Sequence, residues 1–343
     1  MPAVAAVLAW AARGGSSAPD MEPRACPANG SGPQLQERVR AVARTELREE
    51  DAARAQALHA FRQWVDANRD VADVRTDNSF LLRFLRVKKF SLPMAQQVLL
   101  KYLNFKKTFS YLVPKLDPLD SRVDELITRG FMFVLPRRDK NGRRVIFYAP
   151  GKLNPKKHTI QDIGRVFMMT YEALMEDEDN QVLGVTHIGD ISNSSPSLIT
   201  FLTPTEFATI VKWGEQSVPM RHKEVHLLNV PAPVRYVYDF ARTRVSDKIK
   251  NRITMHESLS NLQNAVGLDI LPKEYGGQIP MDEMIDLWKK ELVAKRDTLL
   301  ALENMKILSD QGIIRRKNTQ NGKHQSIIGV EALNGSFRKL EVD

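Results

Sequence analysis

Five basic side chains fall within a short stretch of the C-terminal half, and the only opposing charge is Asp247. They are Arg242, Arg244, Lys248, Lys250 and Arg252. On a helix Lys248 and Arg252 share one face, and apolar residues recur at helical spacing through 234–245. The segment 234–253 therefore predicts an amphipathic helix with a strongly basic C-terminal end. Such a helix either packs on its own core with a solvated basic face or contacts an anionic membrane surface, and nucleic acid is a third possible partner.

Two further basic clusters lie elsewhere in the chain. The clusters are Arg83, Arg86, Lys88 and Lys89, and then Arg221 and Lys223 with His222 between them. The whole chain carries 50 Lys and Arg against 41 Asp and Glu, a formal net charge of +9. This balance favours an anionic partner: nucleic acid, anionic lipid or a phosphorylated ligand. Three clusters that converge in the fold would form an anion-binding site.

Residues for covalent chemistry are sparse. The chain contains no G-x-S-x-G, P-loop, H-E-x-x-H or G-x-G-x-x-G motif. His187 and Asp190 lie three apart on a predicted strand and so point to opposite faces, and Asp190 is expected to cap the following turn. Three further histidines, His222, His226 and His256, are scattered without ligand spacing. We therefore expect no enzymatic activity.

The N-terminus and the single cysteine bear on the compartment. The longest uncharged apolar run is the opening MPAVAAVLAWAA, too short to span a bilayer, and no Lys or Arg precedes it as in a signal peptide. Cys26 can form no internal disulfide, and no multi-cysteine metal site is possible. We expect a cytoplasmic protein, with no metal and no cofactor. Residues 1–33, rich in Ala, Gly, Pro and Ser, predict a flexible leader.

The periodicity of the chain changes at Phe131. Before it, apolar residues at helical spacing predict a small helical module, with Thr76-Asp77 and Ser91-Pro93 as helix starts. After it, FMFVLP and RRVIFYAP flank Asn141-Gly142 and predict a β-hairpin. The runs 182–190, 224–231 and ITMHES predict strands that alternate with helices at 159–176, 203–217 and 234–253. The fold class is therefore α/β with a mixed sheet.

Several of these segments together resemble the CRAL-TRIO family. They are FLLRFLRVKKF, the strand ending in Asp190, VHLLN before Pro231, DKIKNRI and ILPKEYGG. The likeness is to the tocopherol-transfer, retinaldehyde-binding and clavesin branch. It implies a helical N-terminal domain at 34–112, an α/β lipid-binding domain at 113–288 with a lid helix over 234–246, and a C-terminal helix and partly mobile tail at 289–343.

The resemblance also implies a phosphoinositide-binding cleft. Family positions that hold the headgroup match residues that are all Lys or Arg here: Lys88, Arg221, Lys223, Lys248, Lys250 and Arg252. By the same matching the lipophilic pocket is lined by Phe167, Tyr171, Val185, Ile210, Trp213, Met220, Val225, Val234, Val237 and Ala241. The expected function is the binding and intracellular transfer of a small lipophile that is exchanged at phosphoinositide-bearing membranes, endosomal or other.

The sequence departs from the tocopherol-transfer pattern within this pocket. Phe167 and Tyr171 replace small hydroxyl residues and would shrink the cavity, whereas Gly189 replaces a large aromatic and would return volume. His222 and Glu224 stand where relatives have an apolar residue and a glycine. The alternative function is therefore a phosphoinositide-recruited adaptor whose pocket is filled.

Overall fold

Four helices form the first part of the structure, as the periodicity predicts. This computed structural model describes residues 32–110, 115–194, 216–232 and 252–314. The helices are α1 (Pro33–Leu47), α2 (Asp51–Ala67), α3 (Asn78–Val87) and α4 (Leu92–Thr108). Asp77 caps α3, because its carboxylate accepts a hydrogen bond from the Phe80 amide. The rings of Phe61, Phe80, Phe84 and Tyr102 meet edge to face and form the centre of this module.

A five-stranded mixed sheet follows, which confirms the predicted α/β class. Helix α5 (Ser121–Thr128) precedes the hairpin of β2 (Met132–Val134) and β3 (Arg144–Tyr148), whose strands are antiparallel. The other strands, β4 (Val185–Asp190), β5 (His222–Leu228) and β6 (Ile253–His256), run parallel to β3. The strand order is β2-β3-β4-β5-β6. Gly142 has φ +75°, as the predicted Asn-Gly turn requires.

Two helices separate β3 from β4. Helix α6 (Ile160–Met175) begins with a capping box between Thr159 and Asp162, and α7 (Glu178–Leu183) follows it. The run predicted as a strand from 182 is thus helical at its start, and the strand begins only after Gly184. That glycine has φ +79°, and a Cβ there would overlap the carbonyl oxygen of Arg221. A side chain at this position would separate β4 from the start of β5.

The C-terminal part returns to the helical module. Its elements are α8 (Leu259–Val266), α9 (Met281–Ala294), α10 (Arg296–Ala301) and β7 (Lys306–Ile307). Strand β7 pairs antiparallel with the two-residue strand β1 (Val71–Ala72) of the module. This pairing could not be predicted, because a strand of two residues is too short to show alternation of apolar and polar residues.

The arginines of FLLRFLR join the module to the sheet domain. Arg83 donates to Glu172 of α6 and to Glu176, the C-cap residue of the same helix. Arg86 donates to Glu49, Glu178 and Gln181. Both are buried. These two residues therefore do not belong to an exposed basic patch. The predicted basic cluster that grouped them with Lys88 and Lys89 is wrong for Arg83 and Arg86.

Several predicted segments lie outside the described residues. They are nearly all of the leader, most of the helix at 203–217, the lid helix over 234–246 and the tail beyond 314. Over the ranges that are described, no helix has the length and apolar character needed to cross a membrane.

Candidate functional site

The sheet has one face against which α6 packs, and we call it the inner face. By strand register, Tyr148, Gly189 and Leu227 lie side by side near the carboxyl ends of β3, β4 and β5. His187 and Val225 are the next pair towards the amino ends, and Val185 and His222 follow. The ring of Tyr171, from α6, lies 5.5 Å from the ring of His222 and 6.2 Å from that of His187. The inner face is thus apolar with a few polar rings near its middle.

Two histidines form a buried neutral pair on the inner face. His187 Nε2 and His222 Nδ1 are 2.8 Å apart. Burial lowers the pKa of His187 to about 3, and burial with the adjacent His187 and Arg252 holds the pKa of His222 well below its ordinary value. Within the part of the chain that the structure describes, His187 Nδ1 and Tyr148 Oη have no hydrogen-bond partner. These histidines are not scattered, as the sequence suggested; the sheet brings them together from positions far apart in the chain.

The predicted pocket residues that can be placed lie on or beside the inner face. Val185 and Val225 are fully buried on it, Tyr171 and Met220 are buried next to it, and Phe167 is half-buried. The Phe167 ring packs 5.9 Å from Phe131. The other predicted lining residues fall outside the described residues: Ile210, Trp213, Val234, Val237 and Ala241.

Gly189 does not leave free volume on the inner face. A Cβ at this position would overlap the ring of Tyr148, which lies against the glycine from the neighbouring strand. Tyr148 is itself fully buried. The expected gain in cavity volume is therefore wrong at this point, because β3 supplies the aromatic ring that β4 lacks.

A cluster of three cations lies at the amino-terminal ends of β5 and β6, and we call it the basic cluster: Arg221, Lys223 and Arg252. Arg221 and Lys223 both contact the carboxylate of Glu46 on α1, with Lys223 Nζ 2.7 Å from Glu46 Oε2. Arg252 Nη1 donates to the His222 carbonyl at 2.6 Å. The pairing of β4 with β5 skips Lys223, so this residue bulges between His222 and Glu224.

The charges in the basic cluster are incompletely balanced. Arg221 is 5% exposed, and Lys223 and Arg252 are 9% exposed, yet among the described residues one carboxylate, that of Glu46, contacts Arg221 and Lys223, and none contacts Arg252. Burial and the charge of Arg221 lower the pKa of Lys223 to about 8, although Glu46 opposes this. Burial with the charges of Arg221 and Arg143 lowers the pKa of Arg252 to about 10, and no described residue forms a hydrogen bond with its Nη2. Unpaired buried charge of this kind favours an anion.

Similarity to known proteins agrees with this arrangement. The family model described as the CRAL/TRIO domain matches residues 128–277. A clavesin-1 of Xenopus laevis is 29% identical over 251 residues, which cover 73% of this chain and 75% of that protein. An alpha-tocopherol transfer protein-like protein of Mus musculus is 30% identical over 236 residues, covering 68% of each chain. This chain belongs to the CRAL-TRIO family.

One more curated protein and one solved structure are also similar to this chain. Human clavesin-2 is 29% identical over 252 residues, which cover 73% of this CRAL-TRIO chain and 77% of clavesin-2. The solved structure titled as that of Sfh5 covers 69% of this chain and 92% of its own, with 14% identity and a TM-score of 0.46. The family model and the curated relatives confirm membership of a lipid-binding and transfer family, as FLLRFLR and LPKEYGG predict.

The other three residues predicted to hold the headgroup in the CRAL-TRIO cleft are not part of the basic cluster as defined above. Lys248 and Lys250 lie outside the described residues. Lys88 is half-buried at the C-cap of α3, two residues after Arg86, whose guanidinium reaches Glu49 just beyond α1. The end of α3 is therefore near the end of α1 that carries Glu46, but the grouping of Lys88 with Arg221 stays a prediction.

Sequence reasoning missed Glu46 and Arg143. Glu46 contacts residues that are distant from it in sequence. The spacing of charged residues at the end of a helix does not show which cation such a carboxylate contacts in the fold. Arg143 lies just before β3, donates to Glu224 Oε1 at 2.5 Å, and adds positive potential at Arg221, Lys223 and Arg252. Glu224, a departure from the family pattern, is thus the counter-ion of Arg143.

Asp190 has a structural role in this CRAL-TRIO sheet. Its carboxylate accepts hydrogen bonds from Tyr275 Oη at 2.5 Å, from Asn229 Nδ2 and from the Ser192 amide. The predicted capping of the turn is therefore confirmed. Asp190 and His187 lie on opposite faces of β4, as their spacing predicted. The tyrosine of the LPKEYGG segment, Tyr275, connects that segment to the end of β4 through its hydrogen bond to Asp190.

Proposed function

We propose that this protein binds a small lipophile, transfers it within the cytoplasm, and docks on phosphoinositide-bearing membranes through the basic cluster. The observation that carries the docking is the charge imbalance of Arg221, Lys223 and Arg252: among the described residues one carboxylate, that of Glu46, contacts Arg221 and Lys223, and none contacts Arg252. A phosphorylated headgroup offers several oxygens for charge-assisted hydrogen bonds and carries enough negative charge to balance the cluster. Lys248, Lys250 and Lys88 are proposed to complete the cleft.

The inner face supports the choice of cargo. Its apolar residues suit a lipophilic body, and the neutral His187 and His222 pair suits a polar end without charge. Tyr148 Oη is buried and has no hydrogen-bond partner among the described residues, so it can donate to a hydroxyl or carbonyl oxygen of the cargo. A lipid with one neutral polar group fits these features, in keeping with the names of the tocopherol transfer-like relatives.

Exchange at the membrane follows if the headgroup binds a form of the protein with an open lid better than the closed form. Such differential binding shifts the population towards the open form only where phosphoinositide is present. The protein would then hold its cargo in the cytoplasm and release it at the docked membrane.

Docking is tested with Arg252→Met and the matched control Lys290→Met, which removes an exposed lysine on α9. Sedimentation uses phosphatidylcholine vesicles with and without phosphatidylinositol bisphosphate. We expect Arg252→Met to weaken binding to the doped vesicles roughly tenfold, the effect of losing one charge-assisted contact. The control should bind as the wild type does, and equal binding by both variants would contradict the docking site.

The adaptor alternative has one specific observation in its favour. The Tyr148 ring occupies the space over Gly189, and Phe167 and Tyr171 pack against each other at 6.1 Å. Mass spectrometry of small lipophiles extracted from the protein purified from eukaryotic cells distinguishes the two functions. A stoichiometric lipid supports the carrier, whereas an empty protein that stays empty after loading with lipid extract supports the adaptor.

A further inference from the structure

Helix α1 covers the basic cluster with a single acidic side chain. Glu46 is in the last turn of α1, and its carboxylate contacts both Arg221 and Lys223. Burial would raise the pKa of Glu46, but the hydrogen bond from Lys223 and the charges of Lys223 and Arg221 lower it, so the carboxylate is ionised. It lies where a phosphate oxygen of a bound headgroup would have to lie if that headgroup contacted both cations.

The attachment of α1 is separate from the main core. Its buried residues Ala43 and Leu47 pack with Val182 of α7 in a small cluster of their own, together with half-buried Val39 and Val42. Two polar contacts hold the first half of the helix, Gln36 to Asp179 and Arg38 to the Lys140 carbonyl. Helix α1 can therefore detach from the rest of the protein without exposing the continuous core that joins the helical module to the sheet domain.

The end of the detachable segment is well defined. Arg48, directly after α1, has φ +59° and ψ +33°, a left-handed conformation that ends the helix. The next residue, Glu49, is fixed to the Arg86 guanidinium by hydrogen bonds of 2.9 and 2.7 Å, and Arg54 lies 3.7 Å from it. Rotation about Arg48 would move residues 33–47 and leave Glu49 in place.

We propose that α1 is an autoinhibitory strap, in which the Glu46 carboxylate occupies the basic cluster until a polyphosphorylated headgroup displaces it. This inference rests on the proposed membrane docking and gives it a regulatory step. A headgroup with two or more phosphates outcompetes one carboxylate, since it carries more charge and more acceptor oxygens. A monoanionic lipid does not, and so the strap selects for polyphosphorylated lipids over the bulk anionic membrane.

Binding measurements on full-length protein test the competition. The probes are soluble inositol trisphosphate and phosphatidylcholine vesicles doped with either phosphatidylinositol bisphosphate or phosphatidylserine. We compare the wild type with Glu46→Gln and with the control Glu37→Gln, which removes an exposed charge from the same helix. Glu46→Gln should bind the polyphosphorylated probes roughly tenfold more tightly. It should also gain binding to phosphatidylserine vesicles, and Glu37→Gln should change neither.

Hydrogen–deuterium exchange on the wild type tests the displacement without any substitution. Saturating trisphosphate should remove protection from the amides of residues 33–47 and leave those of α3 protected. Unchanged protection of α1 in the bound protein, or equal affinities of wild type and Glu46→Gln, would overturn the strap while leaving the docking intact. Failure of both proteins to bind any polyphosphorylated probe would overturn the docking and the strap together. Binding to trisphosphate but not to vesicles would identify a free polyphosphate as the ligand.

Discussion

Two groups of buried cations in this molecule differ in how their charge is balanced. Arg83 and Arg86 of α3 meet Glu172, Glu176, Glu49 and Glu178 with hydrogen bonds at 2.7–2.9 Å. Burial alone would lower the pKa of Arg86, but its bonds to Glu49 and the charges of Glu49 and Glu178 raise it above the ordinary value.

The basic cluster shows the opposite shift. The pKa values of Arg221, Lys223 and Arg252 are all lowered, because burial and repulsion from nearby arginines, Arg143 among them, outweigh the attraction of Glu46. Buried arginines whose charge is balanced by carboxylates join parts of the structure, whereas buried cations with too few carboxylates retain the capacity to bind an anion. The same residue types thus serve two purposes, and the difference lies in their partners.

The largest effect is expected from breaking the balanced group. Arg83→Met should destabilise the protein by about 3–5 kcal/mol, because it leaves the buried carboxylate of Glu172 without its cation. Urea unfolding measures the loss. As a control, Arg122→Met removes an arginine whose side chain is 59% exposed, and it should leave the unfolding midpoint nearly unchanged. A similar small change for both variants would contradict the structural role of Arg83.

The next effect concerns the pH dependence of stability. The pKa of Lys223 is about 8 in the fold against an ordinary value of 10.5, so between these values the unfolded chain holds a proton that the folded protein has released. Stability attributable to Lys223 should therefore rise with pH across this window, by about 2–3 kcal/mol.

Unfolding of Lys223→Met and of Lys290→Met at a series of pH values isolates this contribution. The rise should be missing from Lys223→Met and retained in Lys290→Met, whose lysine is exposed. Parallel pH profiles for the two variants would show that Lys223 keeps an ordinary pKa, and the comparison between the two cation groups would then lose its basis.

The smallest effect is expected from Arg252. Its substitution by Met removes one hydrogen bond to the His222 carbonyl, worth about 1 kcal/mol, and relieves repulsion from Arg221 and Arg143. The two contributions oppose each other, so stability should change by less than about 1 kcal/mol. A loss in urea unfolding as large as that of Arg83→Met would place Arg252 among the structural arginines.

The fold was largely predictable because its signals are local. The Asp77 and Thr159 caps, the Asn141-Gly142 turn and the apolar runs of the strands depend on neighbouring residues only, and each is found where it was expected. The exception at 182–184 has a steric cause: the close approach of Arg221 to Gly184 sets where β4 begins, and that contact involves a distant residue.

The site was less predictable, since its geometry depends on long-range contacts. Resemblance to a family pointed to Arg221, Lys223 and Arg252, but no spacing rule pairs Glu46 with them. The His187 and His222 pair likewise forms only through the register of β4 and β5 and the bulge at Lys223. Which arginines are balanced and which are underpaired is therefore a property of the folded chain and not of its charge pattern.

The pairing of β1 with β7 has a consequence for synthesis on the ribosome. Strand β1 belongs to the helical module made early, but its partner at 306–307 emerges only after the whole sheet domain. The nascent module therefore has an unpaired backbone edge throughout elongation of the sheet domain. This small sheet can therefore form only after residues 306–307 have been synthesised, far later than the rest of the helical module.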